Sequence, residues 1–376
     1  MSRAAGGRGP GRDLPDLYVG IMSGTSLDGV DAVLAEFVDS GVRLRAHVQH
    51  PFSEDLRSEL LALCAPDGNE IDRAADAGNR LARIYADATL ATLEAAAIPA
   101  SGVRAIGCHG QTVRHRPNRG YTVQLGNPAL LAELTAVTVV ADFRSRDIAA
   151  DGQGAPLVPA FHATLFGARD EDRAVLNLGG IANVTLLERN GGVRGFDTGP
   201  GNCLLDHWIQ RTQGQHFDAG GRWAAGADPD ARLLERFLGE PYFAQPPPKS
   251  TGRELFNAQW LDRHVDTQMP AQVVQATLLE LTAQSAARAL VAQVPRVGRV
   301  IVCGGGARND ALRARLAMLL APRVVESSDA WGLGAEQVEA VAFAWLARCA
   351  ITGERAGLPA VTGARAARVL GAIYPA

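Results

Sequence analysis

The chain has 376 residues, of which 47% are hydrophobic and 20% charged, and carries a net charge of −3. That length exceeds what one core comfortably fills, so two domains are expected. The near-balanced charge gives no reason to expect nucleic acid or an anionic membrane as partner. No apolar run approaches the length of a membrane span. The five cysteines (Cys64, Cys108, Cys203, Cys303, Cys349) include no Cys-x-x-Cys pair and read as buried free thiols in a reducing cytoplasm.

The first sixteen residues are rich in Gly, Arg and Ala, lack the apolar core of a signal peptide and read as a disordered extension. Residues 18–22 predict a buried strand that runs into Ser23-Gly24-Thr25-Ser26 and resumes as a second strand over 30–38. Small residues at Ser23, Gly24, Thr25, Ser26 and Gly29 let N–H groups and hydroxyls converge on a phosphate, and Asp28 and Asp31 offer carboxylates to hydrated Mg²⁺. The P-loop consensus fails, because Val30 stands where its Lys should be. Standing alone, such a segment is more often just a hairpin. Residues 78–97 predict a helix with Leu81, Ile84, Tyr85 and Ala88 on one face. A strand over 103–107 then leads to His109, Gln111 and Thr112, a polar cluster of the kind that reads sugar hydroxyls. A metal role for His109 and His115 is disfavoured by their spacing and the lack of a third ligand. Arg144 and Arg146 offer paired N–H donors to a carboxylate or phosphate, in the segment that joins the halves around an expected linker at 145–152.

The second half repeats the pattern. Residues 175–187 again read strand, glycine turn (Gly179, Gly180), strand. Phe196-Asp197-Thr198-Gly199-Pro200-Gly201-Asn202 places Asp197 at a strand end before a sharp turn, as a turn or capping residue or as a general base. Three prolines (246–248) precede the polar run Lys249-Ser250-Thr251-Gly252-Arg253-Glu254. A helix starting at Pro270 carries Val273, Val274, Leu278, Leu281 and Ser285 on one face. The strand over 299–302 ends in Gly304-Gly305-Gly306, which allows close approach of a flat ring or phosphate but lacks the dinucleotide fingerprint. A last helix after Gly334 shows an apolar face of Val338, Val341, Ala342, Trp345 and Cys349. No Gly-x-Ser-x-Gly elbow occurs, which disfavours a serine hydrolase. The echoed order of hairpin, strand and glycine loop points to duplicated α/β domains facing one cleft.

Residues 20–31, 107–112, 142–144, 152–159, 196–200 and 303–309 together resemble the anhydro-N-acetylmuramic acid kinase family, from Leu17 to the C-terminus and including Val361-Thr362-Gly363. The resemblance implies an α/β fold of the acetate and sugar kinase, heat-shock chaperone and actin superfamily, with two RNase H-like (actin-like ATPase) domains around a central cleft. Domain I would span 17–147 plus about 352–376, and domain II 148–351. It further implies a cytoplasmic homodimer using ATP and Mg²⁺, with no nucleic acid or membrane partner. Water would open the ring of 1,6-anhydro-N-acetylmuramic acid and the 6-oxygen would be phosphorylated, giving N-acetylmuramic acid 6-phosphate and ADP in cell-wall recycling. Carried onto this sequence, Gly24, Thr25, Ser26, Leu27, Asp28, Gly29, Val30 and Asp31 form the ATP phosphate loop, with Asp28 on the metal. Gly179, Gly180, Gly304, Gly305 and Asn309 complete the nucleotide site, and His109, Gly110, Gln111, Thr112 and Arg144 the sugar site. Asp197 becomes the base. Glu339 matches an acidic position near the site, although by itself it reads equally as a solvated helix glutamate.

One residue departs from the family pattern. Asp151 replaces the first glycine of Gly-Gly-Gln-Gly. At positive φ an aspartate is tolerated at a cost of roughly 1 kcal/mol, and its side chain is expected to point outward. Two other readings remain compatible with the sequence: another sugar or carboxylate kinase of the superfamily, and an ATP-gated assembly or chaperone-like module.

Overall fold

The computed structural model describes residues 16–24, 27–39, 41–253, 255–293 and 296–376. The extension over 1–15 and the loop residues Thr25 and Ser26 lie outside the described residues. The first half supplies β1 (Leu17–Met22), β2 (Gly29–Val38), β3 (Gly41–Pro51), β4 (Ala105–Cys108), the hairpin β5 (Gln111–Arg116) and β6 (Tyr121–Leu125), and β7 (Val139–Ala141). The second supplies β8 (Arg173–Leu178), β9 (Ile181–Leu187), β10 (Val193–Pro200), β11 (Arg299–Cys303) and β12 (Val324–Ser327), and β13 (Ala372–Tyr374) closes the chain.

Among the described residues the main sheets run β13-β7-β4-β1-β2-β3 and β10-β9-β8-β11-β12. In each, the first strand of the half pairs antiparallel with the second and parallel with the strand after the crossover. Both halves therefore carry the same order, three-two-one-four-five, with the second strand reversed. This is an α/β fold of two RNase H-like sheets, and the duplication expected from glycine turns is written in the hydrogen-bonding pattern. β1 and β8 are central and almost wholly buried, so both are mostly apolar, with Asn177 a buried polar exception in β8. β3 lies at an edge and alternates between exposed and half-buried residues.

The helix Glu70–Ala95 buries Ala77, Leu81, Tyr85, Ala88 and Thr92 on the outer face of the first sheet. It begins two turns earlier than the apolar spacing indicates. On the second sheet the helix Ala271–Gln293 covers a core that includes Phe237, Phe256 and Trp260. The helix Val338–Thr352 lies between the two sheets. Its residues form one core with Tyr18, Val33 and Val140 of the first sheet and Val175, Leu187 and Ile301 of the second. This sandwiched position corrects the expectation of a single apolar face: Ala340, Phe343, Ala344, Leu346 and Ala347 are buried as well. The sequence boundary grouped this helix with domain II, yet it packs on β1, β2 and β4 of the first sheet. Gly20 and Gly107, paired across β1 and β4, leave the helix room. A Cβ at either position would overlap a backbone carbonyl of the helix, Ala340 or Phe343.

The link between halves is a short helix, Ser145–Ile148, tied to the C-terminal segment. Buried Asp147 accepts from the Thr362 hydroxyl (2.8 Å) and the Gly154 N–H (2.8 Å). Asp151 sits at φ 65° and faces outward, as expected from the family glycine it replaces, and it pairs with Arg365. All five cysteines are free thiols, but Cys64 is exposed rather than buried.

Candidate active site

Open α/β sheets take ligands in the crevice outside the C-terminal ends of their strands, and the candidate residues lie on loops that leave those ends. After β1, Gly24 is half-buried and Leu27 adopts φ 58°. Leu27 and Val30 bury their side chains in the core, so toward a nucleotide they can offer only backbone. Asp28 is exposed. The Ser23 hydroxyl does not join the phosphate-facing set the sequence suggests, because it lies 2.8 Å from the Tyr85 hydroxyl and donates to the Gly110 carbonyl (3.3 Å). Gly29 serves strand packing, since a Cβ there would meet the His50 carbonyl. Asp31 is bonded to His47 (2.8 Å), whose other ring nitrogen contacts the Gln337 amide (3.2 Å). That chain ties β2 and β3 to the residue that precedes the central helix.

On the opposite side, the Gly179 and Gly180 carbonyls accept from the N–H groups of Asn202 (2.8 Å) and Cys203 (3.1 Å) at the start of the helix Cys203–Gln213. Gly304, at φ 82°, packs against Asn177, where a side chain would collide. Gly305 is exposed. Asn309 spends its Oδ1 capping the helix Asp310–Leu320 through the Leu312 N–H (2.9 Å), a local role that the family comparison by sequence does not disclose.

Asp197 sits where the β10–β9 register shifts, between Asp197 and Gly199. A bulge re-aims side chains, and three contacts fix this one. Its N–H donates to the Lys249 carbonyl (3.1 Å), the Thr251 N–H donates to its Oδ2 (3.0 Å), and the Tyr242 hydroxyl donates to its carbonyl (2.6 Å). The Lys249 ammonium donates to the Tyr242 and Phe243 carbonyls (3.2 and 3.3 Å). Burial lowers its pKa while the Asp197 charge opposes that shift. The polar run after the three prolines is thus the brace of Asp197, which the sequence left unassigned.

Arg144 brings the halves together. Its Nε and one terminal nitrogen both address Nε2 of His109 (3.1 and 2.9 Å), and the other donates to the Gly154 carbonyl (2.8 Å). A guanidinium can only donate, so Nε2 accepts and the neutral imidazole carries its proton on Nδ1. Burial and the adjacent Arg144 charge hold the His109 pKa well below the usual 6.5. Nδ1 of His109 and Oε1 of Gln111 are buried without a partner among the described residues. Burial lowers Arg144 to about 10, opposed by Glu339, Asp197 and Asp147, so it remains a cation at neutral pH. Glu339 is not a solvated glutamate. It is half-buried, hydrogen-bonded by Asn177, and its pKa is raised by burial against the pull of Arg144.

A cavity of about 330 Å³ opens beside His109 and Gly110, with Gln124, Asn127, Asp142 and Ser145 along its wall, a volume within the ~300–1,000 Å³ range of small-molecule sites. Thr112 accepts from the Gln124 amide (3.1 Å) and so supports that wall. Arg146 is exposed and takes no part.

No cluster of three potential metal ligands occurs among the described residues. Two carboxylates from opposite halves nevertheless sense each other: Asp206 is pushed up to about 7 by burial and then by the Asp28 charge, against Arg253 and Arg57. Mg²⁺ commonly keeps several waters and takes one or two carboxylates, and a cation between these two would relieve their repulsion. The residues fit. Asp206 was not expected from sequence, because nothing local distinguishes it from a surface helix aspartate. No helix of the described residues is long and apolar enough to cross a membrane.

The family model for anhydro-N-acetylmuramic acid kinase matches residues 16–376. A protein of that name from Bordetella petrii is 56% identical over 384 aligned residues, covering 100% of both chains. Those from Pseudomonas putida and Variovorax paradoxus are 53% and 54% identical, each covering 96% of this chain and 99% of the relative. Matched over its described length and at these identities, the chain belongs to the anhydro-N-acetylmuramic acid kinase family and is a phosphotransferase.

Proposed function

We propose that this kinase uses ATP and Mg²⁺ to convert 1,6-anhydro-N-acetylmuramic acid into N-acetylmuramic acid 6-phosphate, opening the anhydro ring with water as part of the same reaction. The observation that carries the reading is the convergence on Arg144 of His109 from the first half, Asp197 from the second and Glu339 from the helix between them. Asp197, braced by Thr251 and Lys249, takes a proton from water. The water oxygen bonds to the anomeric carbon while the bond from that carbon to the 6-oxygen breaks. The electron pair left on the 6-oxygen attacks the γ-phosphorus, and ADP departs. The acceptor nucleophile is thus produced by ring opening, and no second base is required for it.

His109, presenting Nδ1–H, and Gln111, with Gly110 and Thr112 shaping the wall, bind the sugar. Arg144 offers its charge to the sugar's anionic group or to the developing oxyanion, oriented between Asp197 and Glu339. The loop of Gly24, Thr25, Ser26, Leu27, Asp28 and Gly29 and the glycines Gly179, Gly180, Gly304 and Gly305 would bind the nucleotide. Asp28 and Asp206 would hold Mg²⁺, which neutralises phosphate charge when bound. Cell-wall recycling in the cytoplasm is the setting this chemistry fits.

The test is turnover of the anhydro-sugar with ATP and Mg²⁺ in ¹⁸O-water. One labelled oxygen is expected at the anomeric carbon, read before exchange, together with one ADP per sugar phosphate. An unlabelled product, or a phosphate ester with the anhydro ring intact, overturns the proposal.

A further inference from the structure

The brace of Asp197 carries more than backbone bonds. We propose that the Thr251 hydroxyl orients the attacking water that Asp197 deprotonates, an inference that rests on the reading of Asp197 as general base.

Thr251 Oγ1 is buried and has no hydrogen-bond partner among the described residues. The fold therefore places a polar atom out of solvent without satisfying it, which costs free energy unless a ligand or water supplies the bond. The Thr251 N–H is bonded to Asp197 Oδ2 at 3.0 Å. Covalent geometry keeps the hydroxyl within ~7 Å of that carboxylate oxygen, and a single water with two bonds of ~2.8 Å joins such a pair at separations up to ~5.6 Å. The neighbouring candidates are already committed. The Lys249 ammonium donates to two carbonyls and lies 4.6 Å from the Tyr242 ring centre, and the Tyr242 hydroxyl donates to the Asp197 carbonyl.

A water held only by the base can swing about that one bond. A hydroxyl both donates and accepts, so a second contact from Thr251 fixes the water's remaining direction and aims a lone pair at the anomeric carbon. During the step the water proton goes to Asp197, the oxygen–carbon bond forms, and the electrons of the breaking ether bond stay on the 6-oxygen. Thr251 keeps its own proton throughout.

The experiment compares Thr251→Val, Thr251→Ser and Asp197→Asn by kcat, KM and thermal midpoint. Thr251→Val keeps the shape and removes the hydroxyl. Its kcat should fall on the order of tenfold to a hundredfold, with KM for ATP and sugar within about twofold and the thermal midpoint unchanged or raised. Thr251→Ser should restore kcat to within a fewfold of the parent. If Asp197→Asn is inactive while Thr251→Val turns over normally, the water-orienting role is overturned and the base survives. If Asp197→Asn turns over normally, the base reading fails and this proposal falls with it. A Thr251→Val loss that serine does not rescue, or that comes with a lower thermal midpoint, marks a structural residue and also overturns the proposal.

Discussion

The α-carbon of Gly20, in the middle of β1, lies directly beneath the backbone carbonyl of Ala340, with no room for a methyl group between them. Ala340 follows Glu339, so the absence of a side chain at Gly20 sets how deeply the central helix seats and where Glu339 stands. Gly20→Ala should push the helix outward, costing about 1–3 kcal/mol of stability as overpacking does. It should also lower kcat through the displaced glutamate. Denaturant unfolding together with steady-state kinetics checks this, and an unchanged midpoint would show that the helix yields freely.

Ser23 belongs to the fold of the loop more than to its ligand. Ser23→Ala leaves the Tyr85 hydroxyl, buried in the first core, without its 2.8 Å partner. A destabilisation of about 1–3 kcal/mol is expected, with KM for ATP within about twofold. A large rise in that KM at unchanged stability would return the hydroxyl to the phosphate-binding set.

Arg144→Lys keeps the charge but cannot address His109 and the Gly154 carbonyl at once, as the guanidinium does. With the imidazole tautomer no longer fixed, KM for the sugar should rise on the order of tenfold while KM for ATP changes little. Equal changes in both would place Arg144 on the nucleotide instead.

Asp206 makes stability depend on pH. The folded protein keeps the Asp206 proton up to about pH 7, whereas an ordinary aspartate releases it near 3.8. Between those values the native state binds more protons than the unfolded chain, so this group's contribution to stability falls as pH rises through the window. Asp206→Asn should therefore be more stable than the parent at pH 8, with the difference closing toward pH 4. If Asp206 also helps to hold Mg²⁺, adding Mg²⁺ and ATP should raise the thermal midpoint of the parent more than that of the variant. Parallel thermal unfolding across pH, with and without nucleotide, reads both effects.

The sequence by itself determined the repeated strand–glycine–strand pattern and the loops at the ends of β1, β4, β8 and β11. It could do so because a buried strand and a tight turn each demand particular residues within a few positions. The same local logic singled out Asp197 at its turn, whereas the expectation for Asp151 came from the glycine that the resembled family carries there. Only the tertiary structure decided which of those residues meet. Ser23 finds Tyr85 across the core, the Asp28 charge acts on Asp206 of the other half, and Thr251 reaches Asp197 through a loop that returns to β10. Glu339 joins the site because glycines in two neighbouring strands let its helix settle between the sheets. Partnerships of this kind depend on contacts between residues far apart in the chain, and such contacts leave no periodicity or spacing in the sequence from which to read them.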